Sequence, residues 1–192
     1  MKERPIIMSA ESVQAILDGR KTQTRRIVKP QPTLDTSCLL GTVTETTGNK
    51  KNVGKCFWCD KDAKNIENEI FKNPYGQTGD RLWVKQRYCN KCETPCLIGM
   101  EFIDCMDCEA KSPLFMKKEY AEIWLEITNI RVERLQDITE ADAIAEGFIS
   151  NKKLSEIAKL NFELTWDKLN AKRGYSWDSN PFVWVIEFRR VE

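Results

Sequence analysis

The chain has 192 residues, of which 41% are hydrophobic and 31% are charged, a balance typical of a globular protein with one well-buried domain. Its formal net charge is only +1, so any surface for a polyanion has to be local. No apolar run approaches the roughly 20 residues that span a bilayer, and the first residues are too polar for a secretory signal. We therefore predict a cytoplasmic protein that does not contact a membrane.

Two features of the composition restrict the chemistry. The chain has no histidine, which excludes Ser-His and Cys-His nucleophilic pairs and histidine metal ligands. Proton transfer near neutral pH would then depend on a Lys, Glu, Cys or Tyr with a shifted pKa. The chain also has eight cysteines but no export signal, so a disulfide framework is the less expected use of them.

The first predicted elements lie at the N-terminal end of the sequence. Residues 5–8 are typical of a short strand, and residues 10–18 have the apolar spacing of an amphipathic helix. Ser9 can cap this helix, and Gly19 stands where a left-handed residue commonly ends one. Residues 25–28 are predicted to be extended, and two prolines end this stretch.

A cationic run directly follows the predicted helix. The chain has five basic residues and no acidic one between Gly19 and residue 29: Arg20, Lys21, Arg25, Arg26 and Lys29. The run begins at a fixed helix end, which gives it a defined direction. It either lines a binding site or forms the solvated face of an ordinary strand, and charge alone does not separate these interpretations.

The rest of the sequence predicts several strands and two further short helices. Alternating apolar residues predict strands over 81–88 and 121–135, the second with a bend near Thr128 and Asn129. The pattern has no repeated βαβ unit, so it predicts an α+β fold built on a small barrel or curled sheet. The remaining predicted elements are a helix over 140–146 between Thr139 and Gly147, a helix over 162–169 and a strand over 181–191.

We predict a single domain over 1–192 that carries two insertions. Residues 33–72 are polar, and residues 89–111 are dominated by cysteines, so both segments are interpreted as lying outside the core. The predicted core comprises roughly 1–32, 73–88 and 112–192.

Four of the cysteines have the spacing of a zinc site. Cys89-x2-Cys92 and Cys105-x2-Cys108 are separated by twelve residues, which is close to the spacing of a four-thiolate zinc ribbon. Four protein ligands leave no position for water, so we predict a closed, structural zinc ion.

A third cysteine pair leaves the number of zinc ions open. Cys56-x2-Cys59 forms another predicted knuckle, and Cys38 and Cys96 could complete a second site with it. The sequence does not fix this pairing, because Cys56 and Cys59 could instead join one of the later pairs.

Residues 19–26, GRKTQTRR, resemble the ASCH domain, a branch of the PUA-like RNA-binding superfamily. The family signature is G-x-K-x-x-E-x-R, and Gly19, Lys21 and Arg26 match it. Thr24 stands where the glutamate usually is. The resemblance implies a PUA-like fold and a role with RNA.

The resemblance continues outside this motif. The segment TGDRLWV over 78–84 looks like the family's G-D-x-L-x-V strand. Residues 132–147 look like its strand-to-helix segment, and residues 183–191 look like its closing strand. With the segments NPYGQTGDRLWVKQ over 73–86 and NPFVWVIEF over 180–188, the chain resembles the larger members of the family, which look like proteins carried by phages and prophages.

Thr24 makes the motif similar to that of one enzymatic branch of the family. A small bacterial ASCH enzyme that removes the acetyl group from N(4)-acetylcytidine carries G-x-K-x-x-T-x-R, and its lysine and threonine act with a glutamate from a later helix. Lys21 and Thr24 match the first two residues. Counting along L-x-x-[LI]-T-E-x-x-A-x-x-E places Glu146 at the third. The resemblance therefore implies that Lys21, Thr24 and Glu146 are catalytic.

The chemistry of these three residues is reasonable on its own terms. A neutral lysine can take the proton of a threonine hydroxyl, and burial and the neighbouring arginines would lower the pKa of Lys21 toward that form. Glu146 either protonates the leaving amine or raises the pKa of Lys21 by pairing with it. A three-residue spacing brings Lys21 and Thr24 together only in a turn or a helical bend.

Two other functions stay open. A non-catalytic RNA-binding module would grip phosphates with Lys21, Arg25 and Arg26, beside Arg20. Trp177, in a loop, would then stack a base, whereas Trp83, Trp124, Trp166 and Trp184 are predicted to be core residues. A ribonuclease, the less expected alternative, would use Lys21 to stabilise charge on the cleaved phosphate. The predicted partner is RNA or a modified nucleoside in each case.

Overall fold

The computed structural model describes residues 1–32, 39–42, 55–59, 70–89, 110–149 and 157–191. None of the helices in these ranges is both long and apolar enough to cross a membrane. The strands are β1 (Glu3–Ile7), β2 (Gln23–Ile27), β3 (Leu39–Thr42), β4 (Cys56–Cys59), β5 (Arg81–Lys85), β6 (Tyr88–Cys89), β7 (Ala110–Lys111), β8 (Trp124–Arg134) and β9 (Phe182–Val191). The α-helices are α1 (Ala10–Leu17), α2 (Glu140–Ala145) and α3 (Ile157–Asn170).

A five-stranded sheet with the strand order β1-β5-β8-β9-β2 organises the fold. β1 is parallel to β5, and the other neighbours are antiparallel. The register of β8 against β9 shifts between Ile127 and Asn129, which confirms the bend predicted near Thr128 and Asn129. Two separate ladders pair β3 with β4 and β6 with β7.

The two end strands of the sheet lie close to each other. Arg26 in β2 donates from Nη2 to the main-chain oxygen of Ile7 in β1 at 2.6 Å, and Nη2 is 3.4 Å from the sulfur of Met8. One side chain can join the two end strands only because the sheet curls. The α+β prediction is confirmed, and the sheet it is built on is curled.

Alternate residues of β9 pack into two hydrophobic cores. Trp184 and Ile186 belong to a first core, which includes residues of α1. Val183 and Val185 belong to a second core, which includes residues of α2 and α3. Both faces of β9 are therefore buried, and this explains why the strand reads as a nearly continuous apolar run.

The helix ends follow the predicted caps. The Ser9 hydroxyl accepts a hydrogen bond from the Ser12 amide at 3.3 Å, and Gly19 follows α1 with a φ of +73°. Thr139 and Asp142 form a capping box at the start of α2, and Gly147 follows its end with a φ of +97°.

The last helix begins earlier than its apolar spacing predicts. α3 starts at Ile157 rather than at residue 162. The Glu140 carboxylate in α2 accepts hydrogen bonds from the amides of Ala158 and Lys159, each at 2.9 Å. A carboxylate from another helix therefore caps the first turn of α3, a contact that local sequence does not reveal.

Two aromatic residues from the segment predicted to lie outside the core pack inside it. Trp58 in β4 is fully buried, and its indole N–H donates to the Pro30 oxygen at 3.0 Å. Its ring lies 4.8 Å from that of Phe182, measured between centroids, and Phe71 joins the same first core. The structure therefore differs from the predicted core boundary, because a mostly polar segment contributes a few large apolar side chains.

Candidate active site

The backbone joins Lys21 to Glu146 across the fold. Lys21 follows the glycine that ends α1, and its amide donates to the Ala15 oxygen at 2.9 Å. Glu146 is the residue at the C-terminal end of α2. The two residues form an antiparallel β-bridge, and the amide of Thr22 donates to the Ala145 oxygen at 2.8 Å. The ends of α1 and α2 are thereby held together.

The side chains of Lys21 and Glu146 also pair. Lys21 Nζ donates to Glu146 Oε2 at 2.8 Å and to the Glu146 main-chain oxygen at 2.6 Å. The side chains are 4% and 5% exposed, so the ion pair is almost completely buried. Two of the three residues that the family resemblance singles out are therefore in contact.

Arg25 is the second cation beside Glu146. None of its side-chain surface is exposed, and its Nη1 lies 3.4 Å from Glu146 Oε1. Its Nη2 lies 2.5 Å from Glu133 Oε1 and 3.4 Å from Asp142 Oδ2. The Arg25 guanidinium thus lies among carboxylates from β8 and α2, although the sequence around it contains only basic charges.

Arg131 joins this group from β8. It lies 3.1 Å from Glu133 and 3.6 Å from Asp142, and it also pairs with Glu187. Arg25 and Arg131 are both opposite Val185 in the sheet, one on each side, so they share the face that α2 covers. We call the seven residues the charge cluster: Lys21, Arg25, Arg131, Glu133, Asp142, Glu146 and Glu187.

Sequence reasoning missed four members of the charge cluster: Arg131, Glu133, Asp142 and Glu187. A signal existed for two of them, because Arg131 and Glu133 are two residues apart on a strand and therefore share a face. This face of β8 is covered because α2 packs over it, and the local sequence does not show where α2 packs.

Burial lowers the pKa of Lys21 below the ordinary lysine value of 10.5. The Glu146 charge and hydrogen bond act in the opposite direction, whereas the nearby charges of Arg26 and Arg25 lower the pKa further. Desolvation is the largest cause of the lowered pKa. Glu146 pairs with Lys21, which is one of the two roles considered for it, and protonation of a leaving amine by Glu146 stays a prediction.

Thr24 is not a member of the charge cluster. Residues 23–27 form an extended strand rather than a turn, and Thr24 lies opposite Ile186, on the face of the first core. Its neighbour Arg25 therefore faces the other way. Among the described residues, no side-chain hydrogen bond involves the Thr24 hydroxyl. The turn that was expected to bring Thr24 to Lys21 is absent, and the catalytic role of Thr24 stays a prediction.

The arginines predicted to bind phosphates have internal partners. Arg25 is buried, as described, and Arg26 is bonded to β1. Arg20 is more exposed, with 41% of its side-chain surface accessible, and it pairs with Asp18 at 2.7 Å. Its Nη1 also donates to the Gly147 oxygen at 2.8 Å. The basic run is therefore mostly neutralised or committed to the fold, not arranged along an open groove.

Arg26 should contribute to stability because it joins the two end strands. Replacing Arg26 by Met removes a hydrogen bond from a charged donor and should lower the free energy of unfolding by about 1–3 kcal/mol. Arg189→Met is the matched control, because Arg189 is 67% exposed and its one ion pair within the described ranges is with Glu126 at the surface. The control should cost less than about 1 kcal/mol in urea denaturation. Equal losses for the two variants would contradict the role given to Arg26.

Trp177 is half-buried against the second core. Its ring lies 6.3 Å from that of Phe162, edge to face, and its amide donates to Asp167 at 2.6 Å. These contacts place it in the packing of the loop after α3, and its base-stacking role stays a prediction. Trp83, Trp166 and Trp184 are buried, as predicted for core residues.

The cysteine predictions fall mostly outside the described residues, which include three of the eight cysteines. Cys92, Cys105 and Cys108 lie outside them, as do Cys38 and Cys96. Cys89 is buried and lies opposite Ala110 in the β6–β7 ladder. Cys56 and Cys59 are three residues apart on the extended strand β4, so their side chains face opposite sides and do not form a tight knuckle there.

Comparisons with known proteins give limited information. No protein-family model and no curated protein matches the chain. Among solved structures, the chain is similar to an ASCH domain from Lactobacillus crispatus JV V101. The sequence identity is 11% and the TM-score is 0.44, over 98% of this chain and 79% of that chain. A likeness of this size does not establish a family.

Proposed function

We propose that this chain is an ASCH-type domain directed at RNA or a nucleoside, and that Lys21 and Glu146 form its reactive pair. The reaction is hydrolysis of the amide bond in an acylated cytidine such as N(4)-acetylcytidine. One observation carries the proposal. The lysine and the glutamate that the resemblance selects lie 125 positions apart in the sequence and meet at 2.8 Å in a buried ion pair.

The pair provides the groups that amide hydrolysis needs. Neutral Lys21 takes a proton from an attacking water as the water oxygen bonds to the acetyl carbon. The bond from that carbon to N4 then breaks, and N4 receives the proton from Lys21, which gives cytidine and acetic acid. Glu146 accepts a hydrogen bond from Lys21 throughout and orients its amine. Thr24 is not required for this sequence of steps.

Burial lowers the pKa of Lys21, as a base requires, and burial of Arg25 argues against its contact with phosphates. A lysine acts as a base only in its neutral form, and removal from water lowers its pKa toward that form. Binding of phosphates requires exposed cations, whereas the Arg25 side chain has no exposed surface. The alternative of a non-catalytic phosphate grip therefore lacks one of its main predicted contacts.

The test is release of cytidine from N(4)-acetylcytidine at high protein concentration, followed by chromatography of both nucleosides. Lys21→Met should reduce the rate by roughly 10²- to 10⁴-fold, the range for removing a general base. Lys29→Met is the matched control, because Lys29 belongs to the same basic run but lies exposed on the ring of Tyr175. It should keep the wild-type rate. Absence of release by the wild type, or equal rates for the wild type and Lys21→Met, would reject the proposal.

A structural zinc ion is a separate part of the proposal, with Cys89, Cys92, Cys105 and Cys108 as ligands. The β6–β7 ladder supports it, because pairing of Cys89 with Ala110 brings together the two ends of the cysteine-rich segment. Cys108 precedes Ala110 by only two positions in the sequence. Four thiolates suit zinc and would stabilise a short segment. Metal analysis of protein purified without chelator should find zinc, and Cys89→Ser should lower its content. Metal-free protein would contradict this assignment.

A further inference from the structure

Arg25 contacts Glu146 on the side opposite Lys21. Its Nη1 lies 3.4 Å from Glu146 Oε1, whereas Lys21 Nζ lies 2.8 Å from Glu146 Oε2. One carboxylate is thus held between two cations, with one oxygen facing each. Charge-assisted contacts to both oxygens fix the plane of a carboxylate as well as its position.

The other end of the Arg25 guanidinium is anchored independently. Its Nη2 lies 2.5 Å from Glu133 in β8, and the guanidinium carbon lies 5.9 Å from the centre of the Phe162 ring in α3. Arg25 itself is held in β2 by pairing with Val185. The arginine therefore connects Glu146, at the end of the six-residue helix α2, to strands β2 and β8 of the sheet.

We propose that Arg25 is a positioning residue that holds the Glu146 carboxylate so that Oε2 faces the amine of Lys21. As a role in catalysis it rests on the proposed function. Arg25 is not expected to contact the substrate, because its side chain has no exposed surface. Its effect passes through Glu146 to Lys21.

Arg131 provides a matched comparison, because it belongs to the same charge cluster. Like Arg25, it contacts Glu133 and Asp142, but it has no contact with Glu146 among the described residues. A variant at Arg131 therefore disturbs the same carboxylates without releasing Glu146. If Arg25 only attached α2 to the sheet, variants at the two arginines would affect Lys21 alike.

The experiment compares Arg25→Lys with Arg131→Lys through the pKa of Lys21, and Arg25→Gln with Arg131→Gln through kinetics. The pKa is read from the NMR shift of the Lys21 ε-carbon, assigned with Lys21→Arg. Arg25→Lys keeps a positive charge at this position but cannot hold Glu133 and Glu146 together, so the Glu146 carboxylate is released and its pairing with Lys21, which raises this pKa, weakens. The pKa of Lys21 should therefore fall below its wild-type value. Arg131→Lys should leave it nearly unchanged.

The kinetic arm uses N(4)-acetylcytidine and separates kcat from KM. Misplacement of a reacting group can reduce the rate about 10²-fold, so Arg25→Gln should lower kcat by roughly 10- to 100-fold with little change in KM. Arg131→Gln should keep kcat within about threefold. If Arg25→Gln does not fold, Arg25→Lys replaces it, because lysine keeps the charge but cannot bridge Glu133 and Glu146. Arg25→Lys should also lower kcat by at least about tenfold.

The outcomes separate the two proposals. An equal effect of the Arg25 and Arg131 variants on Lys21 pKa, or full kcat in Arg25→Lys, overturns the positioning role. If the wild type releases no cytidine, the proposed function fails, and the NMR comparison alone decides whether Arg25 controls the Lys21–Glu146 pair.

Discussion

Replacing Glu146 by glutamine should lower the free energy of unfolding by about 3–5 kcal/mol at neutral pH, the cost of leaving a buried charge without its partner. The charges that remain close to Lys21 are those of Arg26 and Arg25, and both are of the same sign. The amide can keep a hydrogen bond but offers no compensating charge. Urea denaturation at neutral pH measures the loss.

Lys21→Met should cost less, about 1–2 kcal/mol, because Arg25 still faces the Glu146 carboxylate. The difference between the two losses of unfolding free energy distinguishes a charge cluster from an isolated ion pair. In an isolated pair, the two substitutions would lower the free energy of unfolding equally. A Lys21→Met loss as large as that of Glu146→Gln would contradict the compensation by Arg25.

The pH dependence of these losses has a defined sign. Burial lowers the pKa of Lys21 in the folded state below its value of 10.5 in the unfolded state. At a pH between these two pKa values the unfolded chain binds more protons than the folded chain, so the contribution of Lys21 to stability rises with pH in this range. Loss of Glu146 removes an interaction that raises the folded-state pKa of Lys21, so this window between the folded-state and unfolded-state pKa extends to lower pH. The deficit of Glu146→Gln should therefore shrink as the pH rises through that window. A deficit that grows with pH would contradict the pairing of Glu146 with the charged form of Lys21.

Gly147→Ala should lower the free energy of unfolding by about 2–5 kcal/mol, from backbone strain and overpacking together. Gly147 has a φ of +97°, and a Cβ there would lie 2.9 Å from the Cβ of Ala15 and 3.2 Å from that of Lys21. Neither of those atoms is the end of a flexible side chain. The alanine would therefore push apart the ends of α1 and α2 where Lys21 and Glu146 meet.

Gly19→Ala is the matched control for this substitution. Gly19 also follows a helix, with a φ of +73°, but a Cβ there would meet nothing within 4 Å. It should incur only the backbone cost of about 1–2 kcal/mol. Equal losses for the two alanine variants in urea denaturation would show that the close approach of α1 and α2 does not matter.

Local signals in the sequence were sufficient to predict the helix ends. Ser9, Thr139 and the two glycines after α1 and α2 act through contacts within a few residues, so the sequence reveals them. The meeting of Lys21 with Glu146 came from counting along motifs, not from any local signal. Periodicity alone could not have paired residues on two separate helix ends.

The remaining features depend on contacts distant in sequence. Arg25 lies in a basic run whose charge pattern is typical of a solvent-exposed face. The structure buries Arg25 because α2 brings acidic residues over that face of β2. Trp58 is likewise buried by packing against Phe182 from the last strand. The sequence predicts that Thr24 lies beside Lys21 only if the chain turns between them. Pairing of β2 with β9 instead keeps the chain extended, so Thr24 faces the first core.

The pH dependence of kcat/KM for cytidine release from N(4)-acetylcytidine tests the reactive pair most directly. Lys21 acts in its neutral form, and burial lowers its pKa, so kcat/KM should rise with pH and level off below 10.5. The same rise should be missing from the residual activity of Lys21→Met. A wild-type kcat/KM that stays constant or falls as the pH increases over this range would contradict a neutral Lys21 as the base.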